Sequence, residues 1–178
     1  MSRQPLSLKA RAIALLAQRE HSATELRRKL MRVVQKRDRD AAAAAVGAGV
    51  EAAETDEDAD LPSNNKAAEE VDALLAWLQA QGYLDEARFV ESRIHARAAR
   101  HGNLRIKQEL AQHGLALDTS QAQALKDSEF ERARLIWQRK FGSPPADAAA
   151  QAKQMRFLAG RGFSADVLRR LLRNPDGE

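Results

Sequence analysis

Residues 16–30 read LAQREHSATELRRKL, and residues 158–172 read LAGRGFSADVLRRLL. Leu16, Ala17, Arg19 and Ser22 match Leu158, Ala159, Arg161 and Ser164. The match continues through Leu26, Arg27, Arg28 and Leu30 to Leu168, Arg169, Arg170 and Leu172. A weaker copy lies between them, where Gly102, Ile106, Lys107 and Leu110 take the places of Ser22, Leu26, Arg27 and Leu30. Self-similarity of this kind marks a repeat architecture, with a unit of about sixty residues between the middle and last copies. The first interval is longer, and the excess falls on one unusual stretch, residues 37–66. The fold class is therefore all-α, an array of three tandem repeats with about three helices each.

The repeat separates core from surface. Leu26 and Leu30, Ile106 and Leu110, and Leu168 and Leu172 are four apart, so each pair shares one helix face. The residue after the first of each pair is always basic: Arg27, Lys107, Arg169. It lies about 100° round the helix from the core residue. One cation per unit at one helical position suits a quasi-regular charged partner, although a solvated basic face would look the same.

Helix signals punctuate the rest. Leu8–Arg19 carries Leu8, Ala12, Leu15 and Leu16 at helical spacing. Ser22–Glu25 forms a capping box opening a helix that buries Leu26, Leu30 and Val33, with Glu25 and Lys29 as an i,i+4 pair. Val71–Gln81 turns Leu74, Leu75 and Leu78 inward. Gly82 ends it, and Asp85 caps the next helix, which carries Phe89, Val90 and Ile94. Gly114 and Asp118 repeat that punctuation. Helices then span Asp118–Lys126, Ser128–Phe141, Ala146–Ala159 and Ser164–Leu172.

In domain terms, residues 1–36 hold the first helices of repeat one. Residues 37–66 are an acidic, low-complexity, flexible insert, and residues 67–84 are the last helix of repeat one. Repeats two and three occupy 85–126 and 127–174. The insert has almost no large apolar residues with which to offset its ordering entropy. Only Ala41–Val46 reads as a helical extension within it.

Charge divides along the same line. The chain's net charge is +4, but Asp38–Glu70 carries ten acids against two bases, and Met1–Arg37 ten bases against two acids. Arginine supplies 21 of the 29 bases. A basic body of this kind points to a polyanionic partner, nucleic acid first. Cysteine is absent, which excludes disulfides and thiolate metal sites. No apolar run approaches the ~20 residues of a membrane span, and no signal-peptide core is visible, so a soluble cytoplasmic protein is expected.

No catalytic constellation emerges. The four histidines (His21, His95, His101, His113) fall in no HExxH pattern, and His21 aligns with Phe163, which favours packing. Gly47 and Gly49 lie in low-complexity sequence rather than in a phosphate loop. Ser22 and Ser164 serve as caps. Asp85 and Glu86 sit where a helix dipole favours acids. Trp77, Phe89, Phe130, Trp137 and Phe157 are core-spaced, while Tyr83 sits at a turn. We expect no enzyme activity, no cofactor and no metal.

Four stretches together resemble the RecX family, modulators of the RecA recombinase: residues 16–30, the run GYLDEARF at 82–89, GNLRIKQEL at 102–110 with HGL at 113–115, and RFLAGRGFS at 156–164. They cover the chain from about residue 10 to residue 172, leaving out the insert. The resemblance implies an elongated, curved array of three-helix repeats. It implies binding to the groove of a RecA–DNA filament, inhibition of filament growth, strand exchange and ATPase, and some direct affinity for single- and double-stranded DNA. Contact with DNA would be mostly through phosphates. A monomer is expected, with Arg27, Arg28, Lys107, Arg169 and Arg170 as leading partner-binding residues, and Arg19, Lys29, Arg32, Arg105 and Arg161 behind them. Arg19 and Arg161 could instead serve helix ends. The insert departs from the family pattern and leaves the third helix of repeat one open to displacement. Two other readings stand beside this one: a helix-turn-helix or sequence-tolerant DNA-binding module, and a helical-repeat adaptor for an acidic protein.

Overall fold

The computed structural model describes residues 6–47 and 60–174. All eight elements among the described residues are α-helices, and the chain divides into two compact units, Met1–Phe89 and Val90–Glu178.

The first unit holds α1 (Leu8–Leu16), α2 (Ala23–Gly47) and α3 (Asp60–Ala80). Leu26, Leu30 and Val34 recur every fourth residue on α2 and are buried against Val71, Leu75 and Leu78 of α3, with Ala12 of α1 and Leu84 completing the core. Val34 replaces the expected Val33: the stripe keeps its i+4 step, and Val33, about 100° away, is only half-buried. Leu74 is half-buried for the same reason.

The helical extension expected at Ala41–Val46 is present, as part of an α2 that runs on through Gly47, whereas α3 begins at Asp60, before the expected residue 67, so both ends of the stretch 37–66 are helical. The continuation has a physical cause. Arg37 makes a bidentate contact with Glu70 of α3 (3.1 and 2.9 Å) and also reaches Asp38, tying the two helices together beyond the apolar core. Glu70 is held below the ordinary carboxylate range by that guanidinium, against a smaller effect of burial. The third helix of repeat one is thus in place against α2. Residues 48–59 lie outside the described residues.

Helix α4 (Glu86–Ala98) opens at an Asp85 cap whose Oδ1 accepts from the Ala87 and Arg88 N–H groups (2.8 and 3.1 Å). Arg88 ties this start to Glu20 (2.9 Å) and to the Gly82 carbonyl (3.0 Å). Gly82 ends α3 in the left-handed conformation, as the sequence pattern requires.

The second unit contains α5 (Asn103–Ala111), α6 (Thr119–Lys140), α7 (Ala148–Ala159) and α8 (Ala165–Arg173). Its core joins Phe130, Ala133, Ile136 and Trp137 of α6 to Leu158, Phe163, Leu168 and Leu171. The helices expected at Asp118–Lys126 and Ser128–Phe141 are one continuous helix, opened by an Asp118–Gln121 capping box. Ser128 does not break it: its hydroxyl donates back to the Ala124 carbonyl (2.9 Å), an ordinary mid-helix use of serine. In α8, Leu171 is fully buried and Leu172 half-buried, so the expected i,i+4 pair with Leu168 is joined by an i,i+3 one.

Helices α2, α5 and α8 begin at Ala23, Asn103 and Ala165, one residue after the aligned Ser22, Gly102 and Ser164. Leu26 and Ile106 have no exposed surface and Leu168 has 1%. The sequence register of the repeat is thus the helix register.

Candidate functional site

The aligned helix starts differ in chemistry. Ser22 is an ordinary cap, its hydroxyl accepting from the Glu25 N–H at 3.1 Å. Ser164 is not: its hydroxyl donates to Glu129 Oε2 (3.0 Å) and its N–H to Glu129 Oε1 (3.2 Å). That Oε1 also accepts from the Asn103 N–H at 3.1 Å. One carboxylate on α6, 3% exposed, therefore serves the N-terminal ends of both α5 and α8. Negative charge at a helix N-terminus is favourable, and here it meets two.

Gly102 stands where the other repeats have serine because the backbone of the α7–α8 turn touches it. A Cβ at Gly102 would fall 2.3 Å from Gly162 C and O and from Phe163 N. The contact is sealed by Gly102 N–H to Arg161 O (2.9 Å) and Leu104 N–H to Gly162 O (3.0 Å). Beside it, half-buried Arg132 donates to the carbonyls of His101 (2.8 Å), Ala98 (3.2 Å) and Leu125 (2.9 Å), and to Asn103 Oδ1 (2.5 Å). Burial lowers the Arg132 pKa, and Glu129 opposes that.

The first unit has its own charged knot. Arg19 grips Glu25 with both terminal nitrogens, Nη1 at 3.1 Å from Oε2 and Nη2 on Oε1, and Lys29 reaches Oε1 at 3.2 Å. Burial works to raise the Glu25 carboxyl, but hydrogen bonds from Arg19 and Lys29 outweigh it and hold the pKa at about 2. His21 is fully enclosed. Its Nδ1 meets the Arg19 carbonyl and its Nε2 the Lys29 ammonium, each at 2.9 Å. Only a ring that donates from Nδ1 and accepts at Nε2 satisfies both, so His21 is neutral here. Burial lowers its pKa, partly countered by the Arg19 carbonyl.

The candidate cations thus fall into two groups. Arg19 and Lys29 are turned onto Glu25. Arg161 stacks on Phe157 at 4.5 Å and Arg170 on Phe130 at 4.4 Å. Arg105 lies 3.6 Å from Glu109. Arg27 makes a bidentate contact with Asp72 (2.6 and 3.0 Å), and Arg169 pairs with Asp166 one turn before it. Both of these pairs are exposed, the kind that contributes ~0–1 kcal/mol and exchanges readily for another anion. Arg28, Arg32 and Lys107 are exposed and make no ion pair with the described residues. Arg27, Arg28 and Arg32, with Thr24, Met31 and Gln35, line a shallow cleft of about 410 Å³ on α2. On α4 and α5, Arg93, Arg97 and Arg105 line a second of about 240 Å³ with Gln108, Glu109 and Gln112. The exposed cations of α2, α5 and α8 keep the register of the repeat.

Two family descriptions match the chain: "RecX, second three-helix domain" over residues 85–122 and "RecX, third three-helix domain" over residues 127–172. "Regulatory protein RecX" of Ralstonia pickettii is 40% identical over 178 residues, covering 99% of this chain and 92% of that protein. Its counterpart in Leptothrix cholodnii is 45% identical over 179 residues, with 99% and 94% covered. This chain belongs to the RecX family. The counterpart in Pseudomonas putida, at 40% over 177 residues, agrees along 97% of the chain. The two RecX domain matches meet inside α6, which continues unbroken from one into the other.

Sequence reasoning missed three polar residues of this RecX-family chain. Glu129 interrupts the apolar stripe Leu125, Ala133, Ile136 on α6, which is the signal for a buried acid. Gln154, 6% exposed, accepts from Trp137 Nε1 at 2.7 Å inside the core. Arg132 gave no signal, because carbonyls rather than acids receive it. Trp77, expected in the core, is half-buried; Tyr83 stacks on it (5.7 Å) and Lys9 Nζ sits over its ring at 3.5 Å. Among the described residues no cluster of His, Asp or Glu could hold a metal, and no helix is long and apolar enough to cross a membrane.

Proposed function

We propose that this protein is a negative modulator of the RecA recombinase that binds the RecA–DNA filament and inhibits its growth, strand exchange and ATP hydrolysis. The observation that carries the reading is the recurrence of Arg27, Lys107 and Arg169 as exposed cations at one register of α2, α5 and α8. A helical polymer offers anionic groups at regular intervals, on protein or on DNA phosphates. A repeat protein with one cation per unit can meet several such groups at once. Arg28 and Arg170 would widen that surface. The name of the relatives, a regulatory protein, agrees with a role exerted by binding.

Contact through phosphates gives an affinity that falls steeply with salt and is indifferent to sequence. Reversing Arg27, Lys107 and Arg169 to Glu tests the reading. Far-UV circular dichroism should keep its helical signal, because both pairs lost are exposed. Inhibition of RecA ATPase on single-stranded DNA should disappear; undiminished inhibition by a folded variant would refute the assignment. The rival reading, a helix-turn-helix module acting alone, requires one preferred duplex over random duplex in a competition assay.

A further inference from the structure

A groove of about 730 Å³ runs between the start of α1 and the middle of α2. Leu6, Leu8 and Val33 contribute apolar surface to its lining, and Arg11, Arg32 and Lys36 contribute cations. Leu6 is 61% exposed, and Val33 is left half-open because the core stripe passes through Val34 instead. Arg32 and Lys36 are one helical turn apart, exposed, and without an ion pair among the described residues. Arg37 also lines the groove, but Glu70 and Asp38 already hold its guanidinium. Among the described residues Asp40 is the single acid of the lining. The volume lies in the range of ligand-binding clefts.

We infer that this groove binds an acidic, amphipathic peptide segment of a partner protein, one large apolar side chain seated between Leu6 and Val33 and flanking carboxylates on Arg32 and Lys36. Charge complementarity selects the occupant. Cations bordering an apolar floor reject a basic or neutral peptide and leave a purely charged ligand unable to use the floor. Nucleic acid would use the cations but would bring phosphates and sugars to Leu6 and Val33. Arg32 lines both this groove and the cleft that holds Arg27 and Arg28, whereas Leu6 and Lys36 are absent from that cleft, so the Leu6→Asp variant separates the inference from the filament reading.

The test is fluorescence anisotropy with the full chain and a labelled peptide of about a dozen residues, Glu-rich with Leu at every fourth position. Binding should saturate and should weaken by about tenfold or more in Arg32→Glu/Lys36→Glu. It should also weaken in Leu6→Asp, whose side chain is exposed and whose fold is checked by circular dichroism. Replacing Glu by Gln in the peptide, or Leu by Ser, should each abolish saturable binding. Equal binding by the Gln peptide, by the Ser peptide or by the double variant overturns the inference. So does displacement of the peptide by an oligo-dT strand that the double variant no longer binds, since the groove would then be a nucleic-acid site.

Discussion

Truncating Glu129 to Ala should be the most damaging single change to a polar residue of the second unit. The side chain is 3% exposed and accepts three hydrogen bonds, from the Asn103 N–H, the Ser164 N–H and the Ser164 hydroxyl. Hydrogen bonds to a charged group contribute ~1.5–3 kcal/mol each when intact, and a donor left unsatisfied in the interior costs ~1–3 kcal/mol. Water entering the vacated space would recover part of this, which brings the expected loss to ~3–5 kcal/mol. Arg132 would also lose the carboxylate that opposes its desolvation. Glu129→Gln keeps the shape. Its single oxygen can still take both N–H groups, and the Ser164 hydroxyl can rotate to accept from the new amide, so ~1–2 kcal/mol should be lost. Urea unfolding followed by Trp137 fluorescence, in a Trp77→Phe background, isolates this unit. For a unit of this size the Ala variant should lower the midpoint by about 2 M. A loss below about 1 kcal/mol for Ala, or equal losses for Ala and Gln, would refute the role assigned to the carboxylate.

Other expectations follow from the same geometry. Gly102→Ser restores the residue found at the aligned positions 22 and 164, yet should cost ~2–4 kcal/mol, because its Cβ meets backbone 2.3 Å away; a Ser variant as stable as wild type in the same urea assay would show that the turn yields freely. Acid should weaken the first unit in two stages, read by Trp77 fluorescence in a Trp137→Phe background. His21 stays neutral in the fold, so the unfolded chain protonates first and stability falls as pH drops below 6.5. Glu25 then contributes ~2–3 kcal/mol that is present above 4.5 and lost as pH falls toward about 2. His21→Phe should remove the first stage and Glu25→Gln should shrink the second, to which the exposed Glu70 and Asp72 also contribute; a profile unchanged by either variant would contradict the assignment. Gln154→Leu should cost ~1–3 kcal/mol by stranding the Trp137 indole N–H, measurable by thermal unfolding, whereas no shift would mean that the donor finds water.

Much of the architecture was legible in the residues. Paired Leu and Ile four apart, Asp and Ser at helix starts and glycines at helix ends each report a local preference, and the structure follows them in the core pairs of α2 and α5, in the caps at Ser22, Asp85 and Asp118, and at Gly82, but not at Ser164. Two kinds of information were hidden. One is continuity: the helix runs past Arg37 with an ion pair to α3, and past Ser128 with that hydroxyl turned back onto α6 itself, and propensity records neither. The other is pairing. Arg27 and Lys107 look equivalent along the chain, but among the described residues only Arg27 pairs with an acid, Asp72, forty-five residues away. The Glu25–Lys29 pair is legible as an i,i+4 spacing, but Arg19 reads as a partner-binding or helix-end charge until its guanidinium is seen on the buried Glu25. Gly102 read as a weak copy of Ser22, when it is a required absence of side chain.

Helix α6 has a bearing on how the protein can be dissected. The second and third RecX domain matches adjoin at residues 122 and 127, yet a single rod passes through both. Cutting there would leave each fragment with half a helix and two frayed stumps, and the Glu129 half would keep its carboxylate while losing Asn103. The two matched domains therefore share one helix, and a protease should find that seam closed until the whole unit opens.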